Sequence, residues 1–214
     1  MTLAERLSAL DACVVSDALD ELALPGSVTG LQPLSGTRLV GRARTVLTGP
    51  ARPGGKHVAA QTVAVSGWGD VVVIGGGGRT DVSCWGGILT AAAMRRGLSG
   101  VVIDGAARDV DEIRAQGFPV FARGATTRTA RGRITQVTAD EPVEIAGVTV
   151  APGDLVIADG SGVVFVPAGR AAEVLDIAGR LQARQARILQ LVRAGEPVTE
   201  LMSDASLTEG LNPG

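Results

Sequence analysis

The strongest constraint on this chain is a pair of short, unbroken β-branched runs, Val71-Val72-Val73-Ile74 and Val101-Val102-Ile103, separated by an alanine-rich stretch over 88–96. Apolar runs of this length without polar alternation make strands buried on both faces. The stretch between them consists of strong helix formers, opened by Gly86-Gly87 and closed by Gly97 in the usual stop position. A second helix is predicted over 109–116, with acids in its first turn where they suit the positive end of the helix dipole. Residues 119–122, Pro-Val-Phe-Ala, read as a third strand. The order strand, helix, strand, helix, strand predicts an α/β fold: a single-domain layered α/β sandwich whose central sheet contains a parallel βαβαβ core. Right-handed crossovers then place the loops after Ile74 and after Ile103 on one, C-terminal, edge of the sheet. Ligands of open α/β sheets bind at that edge.

Two polar loops meet there. One brings the free backbone N–H groups of a helix start at Gly86, Gly87, Ile88 and Leu89, a ready site for a carboxylate or phosphate. The other brings Arg108, Asp109 and Glu112, a fixed cation beside acids that could hold a hard divalent metal. A plain alternative for Arg108-Asp109 is a helix-capping ion pair.

Gly87 and Arg108 are separated by twenty residues and followed by Asp109-Val110-Asp111-Glu112. This resembles the G-x20-R-D-x2-E/D pattern of the 4-hydroxy-4-methyl-2-oxoglutarate aldolase family, which also contains the RraA-type regulators of ribonuclease E activity. The likeness extends to Val15-Ser16-Asp17-Ala18-Leu19, Leu24-Pro25-Gly26 and Arg38-Leu39-Val40-Gly41 near the start. Later it takes in 152–156 and 159–163. The resemblance implies a metal-dependent lyase that stabilises the enolate of pyruvate. In it Asp109 ligates Mg²⁺ or Mn²⁺, Arg108 meets the carbonyl oxygen of a small 2-oxo acid, Glu112 holds metal-bound waters, and the amides of Ile88 and Leu89 hold the substrate carboxylate. It further implies a homo-oligomer, a trimer or a hexamer. Two positions depart from the pattern: Gly87 stands where many such aldolases carry an acid that assists proton transfer, and Gln185 stands where a glutamate on the C-terminal helix reaches a neighbouring subunit. On that reading oxaloacetate decarboxylation survives better than retro-aldol cleavage. A non-catalytic, protein-binding RraA-like module is the alternative from another class.

A length of 214 residues without a composition break suits one domain over 1–202, with a Gly-, Pro- and acid-bearing tail over 203–214 read as disordered. With a net charge of −2, no Tyr, three Phe and two Trp, the chain has neither a basic footprint nor stacking aromatics for nucleic acid. The first fifteen residues mix charges into their apolar pattern, which reads as neither a signal peptide nor a membrane span, so the expected compartment is the cytoplasm. Cys13 and Cys84 lack zinc-site spacing. The lone histidine, His57, is placed on a helix over 56–66 and read as solvated or structural. Residues 75–78, four glycines, lack the spacing of a nucleotide loop and read as a flexible loop near a small ligand. Arg123, Arg128, Arg131 and Arg133 read as a solvated loop or subunit contact in preference to a clamp for a distal substrate carboxylate. Asp159, in a D-G-S-G turn, is expected to bond its own backbone. Further strands are predicted over 41–46, 144–150, 154–157 and 162–166, and the longest helix over 171–194.

Overall fold

The computed structural model describes residues 2–202, so the reading of 203–214 as a tail lies outside the described residues. Two short helices open the chain, α1 (Leu3–Ser8) and α2 (Ala12–Glu21). They are separate because Asp11 caps the second, its carboxylate accepting the Val14 amide at 2.8 Å. There follow β1 (Ser27–Val28), β2 (Gln32–Ser35), β3 (Leu39–Pro50), α3 (Ala60–Val65), β4 (Asp70–Trp85), α4 (Gly87–Arg96), β5 (Gly100–Ala107), α5 (Val110–Gln116) and β6 (Val120–Ala125). The last third supplies β7 (Ile134–Ala139), the hairpin β8 (Val143–Ile145) and β9 (Val148–Val150), β10 (Leu155–Asp159), β11 (Gly162–Val166), α6 (Ala171–Arg193) and α7 (Val198–Leu201).

One mixed sheet runs β1-β11-β10-β3-β4-β5-β6-β2, with β7 paired to the far end of β3. Its centre is parallel. Val72 lies beside Val101 and Ile74 beside Ile103, and Val102 lies beside Phe121 of β6. The expected βαβαβ core is therefore present, and β3 extends it by a further parallel strand. The unbroken apolar runs have a direct cause. Val72 and Ile74 face a core built with α3, α4 and α5, whereas Val71 and Val73 face a second core closed by the β8–β9 hairpin. Each such side chain contributes on the order of 1.5–3 kcal/mol by full burial. A third cluster packs α1, α2 and α6 on β10 and β11. No helix among the described residues is long and apolar enough to cross a membrane.

Three local expectations change. Residues 75–78 are part of β4 and not a free loop: the β4–β5 register shifts between Ile74 and Arg79, and Gly77 and Gly78 take φ of +63° and +73°, as in a bulge. His57 precedes its helix, because Lys56 bridges to Gln136 and α3 begins only after Ala59 in a left-handed conformation. Arg123 belongs to β6, where it pairs with the buried Asp104 of β5, Nε to Oδ1 at 2.5 Å. Its polar look reflects an ion pair across two strands. Asp159 does bond its own turn, accepting the Ser161 amide at 2.9 Å, and also accepts the Ala12 amide at 2.8 Å.

Candidate active site

Two turns lie side by side at the C-terminal edge of the parallel strands, Trp85–Gly87 leaving β4 and Ala107–Val110 leaving β5. The Arg108 amide donates to the Trp85 carbonyl at 3.0 Å and ties them together. Gly86 caps α4 with extended backbone, φ −166°, so no unusual torsion demands a glycine. Close approach does: a Cβ there would stand 2.7 Å from Asp109 Oδ2 and 3.0 Å from Arg108 Cγ.

Asp109 sits at the N-cap of α5 in the left-handed region, φ +57°. An aspartate at an N-cap ordinarily accepts an amide of its own helix. This one makes no such bond. Its Oδ2 accepts the Gly87 amide at 3.1 Å, and its Oδ1 accepts Arg108 Nε at 3.0 Å. The carboxylate is thus turned away from α5 and towards the start of α4, at a backbone cost of about 1–2 kcal/mol. Gly86 has no side chain to cap α4, and the Ile88 and Leu89 amides have no hydrogen-bond partner among the described residues.

These groups open onto a cavity of about 200 Å³ lined by His57, Ser83, Cys84, Trp85, Gly86, Ile88, Leu89, Arg108, Asp109, Thr129, Ala130 and Arg131. Trp85 fixes the wall beneath: its Nε1 donates to Thr90 Oγ1 at 2.8 Å, and its ring stacks on Phe118 at 6.2 Å between centroids. Burial pushes the Cys84 thiol up to about 11, so it stays protonated near neutral pH and is no nucleophile.

Gly86, Ile88, Leu89, Arg108 and Asp109 are thus brought together around one cavity, with Gly87 binding Asp109 through its amide. Glu112 stands apart from the lining. Its carboxylate lies over the Gly87 Cα, where a Cβ built on Gly87 would overlap it. Glu112 therefore fills from α5 the space that an acid at position 87 would use. Gln185 is on α6, its Nε2 donating to Asp17 of α2 at 3.4 Å, and does not line the cavity. His57, read from the sequence as solvated or structural, and Arg131, read as a solvated loop or subunit contact, are both exposed and both stand at the edge of the cavity lining. What brings them there is the non-local pairing of Lys56 with Gln136 and a turn in which Thr129 Oγ1 accepts the Arg131 amide at 3.3 Å. Neither has a local sequence signature.

No group of three His, Cys, Asp or Glu that could cage a metal exists among the described residues. The cavity offers one carboxylate, Asp109, as a hard oxygen donor. That set fits an ion such as Mg²⁺, which keeps most of its waters and takes one or two carboxylates plus substrate oxygens.

Comparison with known proteins decides the relationship. The family model RraA-like, described as Aldolase/RraA, matches residues 12–165. The chain belongs to the RraA-like family. It is 32% identical over 205 residues to protein DlpA of Legionella pneumophila, covering 94% of this chain but 33% of DlpA, so it spans about a third of that relative's length. It is 33% identical over 105 residues to 4-hydroxy-4-methyl-2-oxoglutarate aldolase of Thermus thermophilus, covering 47% of this chain and 61% of the relative. Among solved structures it resembles Streptomyces coelicolor RraAS2, described as an unusual member of the RNase ES inhibitor RraA protein family. There the TM-score is 0.79 at 28% identity, covering 88% of this chain and 94% of that one. The RraA-like members similar to this chain thus include a protein named as an aldolase and an unusual member of a ribonuclease-inhibitor family.

Proposed function

We propose that this RraA-like protein is a divalent-metal-dependent lyase acting on small 2-oxo acids through the enolate of pyruvate. The observation that carries the reading is the Asp109 carboxylate, held in a left-handed N-cap between Arg108 and the uncapped start of α4 at the mouth of one cavity. A capping ion pair would need neither the strained backbone nor the turn away from its own helix. The Ile88 and Leu89 amides hold the substrate carboxylate. The Arg108 guanidinium, anchored through Nε by Asp109, donates to the 2-oxo oxygen as negative charge grows there. Asp109 would hold Mg²⁺ or Mn²⁺, which when bound would supply further positive charge to stabilise the enolate. Glu112, over Gly87, accepts from waters at the rim. The aldolase named among the relatives supports this reading.

The test is oxaloacetate decarboxylation, followed as pyruvate formed. Turnover is expected with Mg²⁺, its loss with EDTA, and recovery on adding the metal back. Arg108→Ala should lower kcat by roughly a hundred- to thousand-fold, on the order of 3–4 kcal/mol, as for loss of one oxyanion donor. The likeness to RraAS2 supports the other reading, a non-catalytic regulator that binds a protein partner. A folded parent protein that turns over no 2-oxo acid with any divalent metal would select it.

A further inference from the structure

Few of the groups around the cavity can exchange a proton. Arg108 and Arg131 are permanent cations. The Cys84 thiol is held neutral by burial. Both oxygens of Asp109 are engaged, one by the Gly87 amide and one by Arg108. His57 remains. Its Nδ1 lies 2.9 Å from the Val58 carbonyl oxygen. A carbonyl can only accept, so Nδ1 carries hydrogen, and in the neutral ring Nε2 carries the lone pair. Nε2 has no hydrogen-bond partner among the described residues. The Arg131 guanidinium likewise has no ion pair there, since the turn engages only its backbone. Besides the groups of α4 and the β5–α5 turn, the exposed rim of the cavity therefore carries a proton acceptor and a cation that has no ion pair among the described residues.

We propose that His57 and Arg131 form a half-site for the departing part of an aldol substrate, His57 accepting the proton of the C4 hydroxyl and Arg131 holding the carboxylate beside it. The proposal rests on the pyruvate-enolate reading and adds to it only the roles of these two residues, for a substrate of the kind named for the aldolase relatives, a 4-hydroxy-2-oxo dicarboxylic acid. In the step, the hydroxyl proton passes to Nε2 and the oxygen's electron pair forms the new carbonyl. The C3–C4 bond breaks, and its pair moves into the enolate whose oxygen faces Arg108. The Nε2 proton then returns to the enolate carbon, so no net proton, oxidant or reductant is needed. Decarboxylation of oxaloacetate moves no hydroxyl proton and does not need His57. A cation held on the leaving carboxylate would oppose its loss as carbon dioxide.

Both rates are measured on one preparation with Mg²⁺: cleavage of 4-hydroxy-4-methyl-2-oxoglutarate and decarboxylation of oxaloacetate. His57→Asn keeps a donor for the Val58 carbonyl but removes the base. It is expected to lower retro-aldol kcat by about a hundred-fold or more, the usual range for general-base loss, while decarboxylation, which also reports intact folding, changes by less than about three-fold. Arg131→Gln should raise KM for the aldol substrate by about ten-fold or more, as for a lost charge-assisted hydrogen bond, and should not slow decarboxylation. An unchanged ratio of the two rates in His57→Asn overturns the proposal, as does a selective aldol loss in Glu112→Gln with His57→Asn like the parent. A parent that decarboxylates but never cleaves the aldol substrate overturns it too and leaves the enolate reading standing. A parent with neither activity overturns both.

Discussion

Asp109 joins strain and chemistry in one residue. Its φ of +57° suits glycine best, and its carboxylate serves the neighbouring turn and not its own helix. Asp109→Gly and Asp109→Ala both remove the contacts to Gly87 and Arg108, so their difference isolates the backbone term. Both variants should lose decarboxylation. Asp109→Gly should be the more stable by about 1–2 kcal/mol, read from denaturant midpoints. Equal stability would show that the left-handed conformation is not retained without the carboxylate. What the sequence reveals at this scale is what local spacing encodes. Gly86, Ile88, Leu89, Arg108 and Asp109 are legible because each stands at a strand end or helix start whose position follows from a run of residues. His57 and Arg131 reach the same cavity through tertiary pairing, which leaves no periodic trace.

The parallel strands and α4, α5 and α6 are legible as elements because each has a period or an apolar run. Strand β7 is not. Residues 134–139 alternate only weakly, and their partner is the distant end of β3, with Val46 opposite Ala139. The junction is completed by Asp140, whose amide donates to Thr45 and whose carboxylate accepts Arg44 Nε at 2.8 Å and Nη2 at 2.7 Å. The hydrogen bond from Arg44 holds the Asp140 carboxyl below its ordinary value of 3.8. A depressed folded-state value means that the pair's stabilisation is complete above the ordinary carboxylate range and fades as pH falls through the folded value. Asp140 is substantially exposed, so solvent screening limits the pair to about 0.5–1 kcal/mol. Asp140→Asn tolerates the same left-handed backbone. It should lower stability by that amount at neutral pH, and the gap to the parent should close in denaturant titrations repeated in acid below the ordinary carboxylate range. A gap that persists there would assign the loss to the uncharged hydrogen bonds.

For the whole molecule, a single copy leaves apolar surface beside the cavity. Ile88, one residue from the helix start that would hold the substrate carboxylate, is 89% exposed. Scattered apolar residues on a surface are ordinary, but an exposed isoleucine at the rim of the candidate site forgoes about 1.5–3 kcal/mol that burial would supply. We expect a second copy to cover it, in a homotrimer or hexamer. Light scattering at micromolar concentration should then give three or six times the chain mass of 21.7 kDa. Ile88→Asp should shift the mass towards one copy and lower turnover in parallel, because removing the neighbour leaves the start of α4 open to water, which weakens every electrostatic contact made there. If the parent is a monomer at that concentration and fully active, the cavity is complete within one chain. If Ile88→Asp loses turnover while the mass holds, Ile88 acts on the substrate and not on assembly.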